Sequence, residues 1–334
     1  MRRLTLADTE RLRATPGASA LLFITDRCPV GCRHCSVSAE ADGAGITDWE
    51  LFAEIVAGIA AVPELQAVAI SGGEPFAERR GLSHAVSVLR EAGKDVVVFT
   101  SGYWAPARPD SWITRTLSQV STVVLSTDRF HPVGAARPAA AAQAIIDAGC
   151  HLIVQLLAEP GREPRLPGPL AAVAGASAEV NVITPLRHGR GAGVFHPTPR
   201  RRCADFGRCP LTRSPTIRYD GTVLGCCGEA VIAGGGPAAL RSFAGERGQV
   251  AAALRSLRAS PVLRVVGAHG PGALAALPPF AALRETRYAD ICRACWAAHD
   301  SAEAAPEARR MAAGLAATIP ETIPETLPEG RHGR

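Results

Sequence analysis

Between residues 21 and 185, short apolar runs alternate with longer amphipathic ones. The runs at 21–25, 68–71, 95–100, 122–127, 151–157 and 179–184 are rich in Val, Ile and Leu and lack clean polar alternation. That pattern predicts strands buried on both faces. The intervening stretches 47–61, 79–92, 109–117, 135–148 and 166–174 are predicted as helices. Thr47 is the expected cap of the first, with Glu50 three residues on, and Gly149 closes the fourth. Six strand–helix repeats in series predict an α/β fold, a parallel sheet curled into a partial (β/α)6 TIM barrel. Chemistry in such folds gathers at the C-terminal ends of the strands.

The repeat breaks at Pro185, and a Gly/Pro/Arg-rich connector follows over 187–208. Residues 216–219 and 222–226 flank Asp220-Gly221 and predict a β-hairpin. Residues 238–258 read as a helix interrupted at Gly245 and Gly248, and 288–298 as a helix or turn. The chain is thereby divided into an N-terminal extension (1–19), the barrel core (20–190), a small α+β domain (191–300) and an Ala/Glu/Pro-rich tail (301–334), a short helix and then mobile chain.

With 47% hydrophobic and 20% charged residues, the 334-residue chain can bury a core. The net charge of +5 suggests nucleic acid only until its make-up is read: Lys94 is the one lysine among 36 basic residues, and the arginines are scattered. The single dense run, Arg200-Arg201-Arg202, is short, so no nucleic-acid partner is expected. No apolar run approaches membrane-spanning length, and Met1-Arg2-Arg3-Leu4-Thr5 lacks a signal-peptide pattern. The expected setting is the cytoplasm, with no membrane partner.

A reducing compartment leaves ten cysteines without a disulfide role, and their clustering points to metal sites. Cys28, Cys32 and Cys35 form C-x3-C-x2-C directly after the first strand. Three thiolates on one tight loop suit a 4Fe–4S cluster and leave one iron open to a small ligand. A structural zinc knuckle is the alternative, although zinc prefers four protein ligands and His34 is poorly placed to be the fourth. Ser71-Gly72-Gly73-Glu74-Pro75 ends the second strand: two glycines allow close backbone approach, and Glu74 offers an acceptor to an ammonium group.

Together these motifs resemble the radical S-adenosylmethionine (SAM) superfamily over roughly residues 20–190. Thr100-Ser101-Gly102 and Ser126-Thr127-Asp128 match strand-end elements that contact SAM in the family, and Arg187-His188-Gly189-Arg190-Gly191 resembles a Gly-Arg element after strand six. The resemblance implies SAM bound by Gly72, Gly73, Glu74, Ser101, Ser126 and Arg190. It further implies reductive cleavage to a 5′-deoxyadenosyl radical, which abstracts a substrate hydrogen.

Farther on, Cys209 is separated from Cys226 by C-x11-G-x4-C, and Cys292-x2-Cys295 follows after a long gap. This is similar to the twitch domain, the shortened relative of SPASM. It implies one auxiliary 4Fe–4S cluster on Cys209, Cys226, Cys292 and Cys295, with zinc as the alternative. Cys203 is a spare that stands ready to substitute, Cys227 reads as core on the opposite strand face, and Cys150 as a small buried residue.

Asp128 and His131 follow strand four and are the acid–base or substrate-binding candidates, with a surface cap as the plainer reading. Tyr103-Trp104 suits stacking or core packing equally, Glu229 is placed to face the cavity, and His84 and His188 read as surface residues. Family resemblance favours modification of a ribosomal peptide by crosslinking, thioether formation, epimerisation or oxidation. The alternatives are a small-molecule dehydrogenase or decarboxylase acting on a sugar, aminocyclitol or nucleoside, and more distantly a non-catalytic iron–sulfur or zinc protein. An external flavodoxin- or ferredoxin-type reductant is implied. About 20 residues precede the core, too few for a fused winged-helix leader-binding domain; that counts against the peptide reading without removing it, since a leader-binding domain can be a separate protein.

Overall fold

The computed structural model describes residues 2–105, 109–134, 136–158, 161 and 163–320. Six parallel strands pair in chain order: β1 (Ser19–Phe23), β2 (Ala67–Ser71), β3 (Asp95–Thr100), β4 (Thr122–Ser126), β5 (His151–Leu157) and β6 (Ala178–Ile183). Five helices connect them: α2 (Trp49–Ala60), α3 (Arg79–Glu91), α4 (Ser111–Leu117), α5 (Ala136–Asp147) and α6 (Gly168–Ala174). Alternate strand residues such as Leu22, Ile70, Val98, Leu125 and Val154 are fully buried against helix residues such as Phe52, Leu82 and Ile145. These elements lie within a few residues of the predicted ones. Asp48, not Thr47, caps α2, its carboxylate accepting from the Leu51 N–H at 2.9 Å. The first position of the helix expected over 135–148 lies outside the described residues.

The N-terminal stretch is part of the barrel rather than an extension. Helix α1 (Leu6–Ala14) and the residue before its cap place Leu4 and Leu12 among Ala67, Val97, Val124 and Ile153, the inward-facing side chains of the barrel floor. The Thr122 hydroxyl donates to the Leu4 carbonyl at 2.8 Å, and the Leu6 N–H donates to Glu179 at 2.7 Å.

The region after Pro185 continues the same sheet. A two-residue strand β7 (Arg201–Arg202) is followed by the hairpin β8 (Thr216–Arg218) and β9 (Thr222–Leu224). Strand β8 lies parallel to β1, and β10 (Arg241–Phe243) pairs antiparallel with β9, giving the nine-stranded order β10-β9-β8-β1-β2-β3-β4-β5-β6. The helix predicted over 238–258 is therefore divided: β10 takes its start, and the helix proper, Arg247–Arg258, is α8 after the short α7 (Glu229–Ile232). Helices α9 (Pro261–His269), α10 (Pro271–Ala275), α11 (Ala281–Glu285), α12 (Ile291–Ala304) and α13 (Pro306–Ala317) build a second core, with strand β11 (Arg287–Tyr288) pairing to β7. The expected tail is corrected as far as residue 320: Ala308, Ala312 and Ala316 of α13 are buried in that core. Residues 321–334 lie outside the described residues. Among the described residues no helix is long and apolar enough to cross a membrane.

Candidate functional site

The cysteine loop is fastened to the strand ends from two sides. The Gly73 N–H donates to Thr25 O at 2.6 Å and the Glu74 N–H to Arg27 O at 2.9 Å. A side chain at Gly73 would run into the Arg27 carbonyl, so only glycine permits this approach. From β6, Gly189 (φ +53°) lies so close to Cys35 O that a Cβ would stand 2.5 Å from it. Arg190 follows: its Nε donates to Cys32 O at 3.0 Å and an Nη to Ala39 O at 2.8 Å.

Arg190 is therefore a clamp on the cysteine loop. Glu74 is likewise enclosed, 1% exposed. Its carboxylate accepts from Thr100 Oγ1 at 2.8 Å, Phe76 N–H at 3.2 Å, Ser101 N–H at 2.9 Å and Ser101 Oγ at 2.6 Å. Burial pushes the Glu74 carboxyl up, and those donors restrain the rise. Of the six expected SAM contacts, Glu74, Ser101 and Arg190 thus have their polar atoms engaged within the protein. The Ser126 hydroxyl at the end of β4 makes no hydrogen bond among the described residues.

Backbone N–H groups of Val30 and Gly31 reach Cys28, the Ala39 N–H reaches Cys35 Sγ at 3.4 Å, Leu211 and Thr212 reach Cys209, and Gly228 reaches Cys226. Such N–H···S bonds favour the thiolate that a metal requires. The Cys150 thiol donates to Leu117 O at 3.0 Å, and Cys227 Sγ lies 3.9 Å from Leu211 O; each sulfur also has its own backbone N–H beside it. Burial pushes the Cys32 and Cys292 thiols up to about 12.

Cys209, Cys226, Cys292 and Cys295 line one small cavity, with Leu211, Val231, Leu240, Leu263 and Trp296 as its apolar wall. Cys203, 1% exposed in the second core, and Cys227 do not line it.

His34 turns away from the thiols. Its Nε2 lies 3.5 Å from Asp128 Oδ2, and its ring packs edge-on against His131 at 4.8 Å. His131 Nδ1 is 3.1 Å from Asp128 Oδ1, and the Phe130 N–H donates to that carboxylate at 2.7 Å. Burial opposes the Asp128 charge, but His131, His34 and the Phe130 N–H hold its carboxyl below the usual range. Phe130 and Phe195 form the wall of this group. The spacing of Asp128 and His131 was legible, whereas the pairing with His34 and Phe195 depends on contacts between loops with no sequence signal. Trp104 is core, stacked on Phe76 at 4.7 Å and donating to Thr100 Oγ1 at 2.9 Å. Glu229 is half-buried, and burial pushes its carboxyl up, with His188 opposing. His84 is corrected from surface to the α2–α3 interface, 5.1 Å from the Trp49 ring, and His188 is half-buried.

Residues 14–127, about a third of the chain, match the family model of a 4Fe-4S single cluster domain. The native structure of anSMEcpe, with bound AdoMet and Cp18Cys peptide, superposes over 89% of this chain and 99% of its own, at 12% identity and a TM-score of 0.51. The chain has the radical SAM fold. Streptococcus suis SuiB, bound to precursor peptide SuiA, matches 67% of this chain and 63% of its own, at 12% identity and a TM-score of 0.48. YydG of Bacillus subtilis (strain 168), named for peptide biosynthesis, is 21% identical over 111 residues, 32% of this chain. The chain spans about a third of the length of that curated relative, 35%.

Proposed function

We propose that the protein is a radical SAM enzyme that modifies a ribosomal peptide, using SAM, a 4Fe–4S cluster held by Cys28, Cys32 and Cys35, and an auxiliary 4Fe–4S cluster held by Cys209, Cys226, Cys292 and Cys295. The observation that carries this reading is the cysteine loop fastened by Gly73 and Arg190 at the C-terminal ends of a parallel sheet, with N–H donors turned onto Cys28 and Cys35. When bound, the three-thiol cluster and SAM together supply a 5′-deoxyadenosyl radical able to remove a substrate hydrogen.

The chain's own residues then have definite tasks. Gly72 and Gly73 offer backbone close to the open side of the loop, and Ser126 a free hydroxyl. Asp128, kept ionised, and His131 hold or move a proton beside the loop. The apolar wall of the four-thiol cavity excludes water from the auxiliary site, which accepts an electron or ligates substrate. The peptide class draws support from YydG's name and from the peptide bound to anSMEcpe. A flavodoxin- or ferredoxin-type donor and a separate leader-binding protein complete the reading.

Anaerobic reconstitution tests it: about eight irons per chain are expected, falling to about four when either cysteine set is replaced by Ala. Cys150→Ser, Cys203→Ser and Cys227→Ser should retain about eight. With reductant, SAM and precursor peptide, 5′-deoxyadenosine and a mass-shifted peptide should appear together. SAM cleavage surviving the loss of Cys28, Cys32 and Cys35 would refute the assignment.

A further inference from the structure

The arginine run that reads as incidental in the sequence acquires a partner strand in the fold. β7 and β11 pair antiparallel, with Arg202 directly opposite Arg287 and Arg201 opposite Tyr288. Like charges placed opposite each other destabilise a ladder. Arg200, Arg201, Arg202 and Arg287 are all exposed. The Arg201 guanidinium lies 4.4 Å over the Phe206 ring, and Arg287 Nη1 donates to Arg200 O at 3.3 Å. Among the described residues none of these four arginines has a carboxylate within ion-pair distance of its side chain. Of the nearby acids, Asp205 accepts the Arg202 N–H at 2.9 Å and Asp290 caps α12 through the Arg293 N–H at 2.9 Å, while Glu285 is exposed.

The ribbon is also connected to the candidate active site. Phe195 belongs to the aromatic wall at His34 and Phe130. From there residues 196–202 run exposed, with Thr198 tied to Ala289 O at 3.4 Å, up to the arginines. Seven residues span at most about 25 Å. An extended peptide of similar length would reach from the ribbon to the site.

We propose that the β7–β11 ribbon docks an acidic, extended segment of the peptide substrate, placing the residue to be modified at the His34–Asp128 end. This rests on the peptide reading above and adds the charge of the substrate and the surface that receives it. Glutamate or aspartate side chains would neutralise the Arg202–Arg287 repulsion, and the binding would be electrostatic and salt-sensitive.

The test uses the full, anaerobically reconstituted chain and fluorescence anisotropy of a fluorescein-labelled Glu-Ser peptide, with a Gly-Ser peptide of equal length as control. The Glu-Ser peptide should bind, weaken with added NaCl, and bind about tenfold or more weakly to Arg201→Glu/Arg202→Glu. Arg202→Glu alone sets opposite charges across the ladder, so its thermal midpoint should equal or exceed the parent's while its peptide affinity falls. That pairing separates lost docking from lost folding. Equal affinity for both peptides, unchanged affinity in the double variant, or preferential binding of poly(U) over the Glu-Ser peptide would overturn the proposal. 5′-Deoxyadenosine formation with reductant, measured on the parent preparation, reports separately on the enzyme reading: its absence sinks that reading whatever the anisotropy shows.

Discussion

Glu74→Gln separates two roles that the Gly-Gly-Glu motif leaves confounded. In the structure the Glu74 carboxylate bridges the ends of β2 and β3, each oxygen accepting two hydrogen bonds in a site 1% exposed. Glutamine keeps the volume but turns an NH2 toward one of the donor pairs. On the Oε1 side that is costly, because the Thr100 hydroxyl already accepts from Gly102 N–H at 3.1 Å and Trp104 Nε1 at 2.9 Å and cannot reverse. On the Oε2 side the Ser101 hydroxyl can turn to accept, but the Ser101 N–H is left without an acceptor. One orphaned buried N–H, together with weaker bonds to a neutral acceptor, sums to about 3 kcal/mol. Chemical denaturation of the reconstituted parent and variant, read by circular dichroism, should show that loss. SAM affinity from equilibrium dialysis should fall as a secondary effect of a loosened strand end. A variant destabilised by less than about 1 kcal/mol that nevertheless loses SAM would show that Glu74 contacts the ligand directly and that the bracket has been overvalued.

Arg190→Lys should loosen the cysteine loop, because a lysine replaces the two-carbonyl grip on Cys32 and Ala39 with one flexible contact. Iron release to a chelator should run about tenfold faster, and an unchanged rate would leave the clamp without support. His299, 3% exposed on α12 with Nε2 unpartnered, has its pKa pushed by burial from 6.5 down to about 4. A folded-state value below the unfolded one means stability is complete above about pH 6.5 and is lost as pH falls toward 4, about 2 kcal/mol by pH 5. His299→Leu should lack that component, and parallel denaturation profiles of parent and variant between about pH 7.5 and 5 would refute it.

Strands β1–β6 were legible because parallel strands covered on both faces read as unbroken Val/Ile/Leu runs. Strand β10 was hidden because a three-residue Arg241–Phe243 strand has too little pattern to compete with the helix-forming residues around it. Helix α1 was hidden for another reason: its sequence, LADTERLRA, has only a few apolar positions, and Leu4 and Leu12 find their place in the barrel floor through tertiary contacts. All four cysteines assigned to the auxiliary set by spacing converge on one cavity, since the Asp220-Gly221 turn and the helical Cys292-x2-Cys295 fix local geometry strongly. What spacing does not carry is the partner of a side chain. The position of Glu74 and Arg190 was readable, but their hydrogen bonds depend on which strand end or loop is nearest in space. The register of β2 against β3, Ile70 opposite Val98, is what brings Glu74 to Thr100 and Ser101.

The expected division near residue 190 also meets a physical objection. β8 pairs with β1 through Leu21↔Thr216 and Phe23↔Arg218, so the strand that leads to Cys28 and the hairpin that carries Cys226 are neighbours in one ladder. Just beyond, Asp26 accepts from Arg218 Nη2 at 2.7 Å and from the Tyr219 hydroxyl at 2.6 Å, while the Tyr219 N–H donates to Phe23 O at 2.9 Å. Arg218 is further held over the Phe23 ring at 4.9 Å. Moving one cysteine set relative to the other would break ladder hydrogen bonds and uncover a largely buried guanidinium whose carboxylate partner stays behind. The separation of the two sets is thus fixed by β-pairing rather than by a linker. The sheet's β6 edge, where Val180 and Val182 are exposed, lies at the other end of the strand order from that seam.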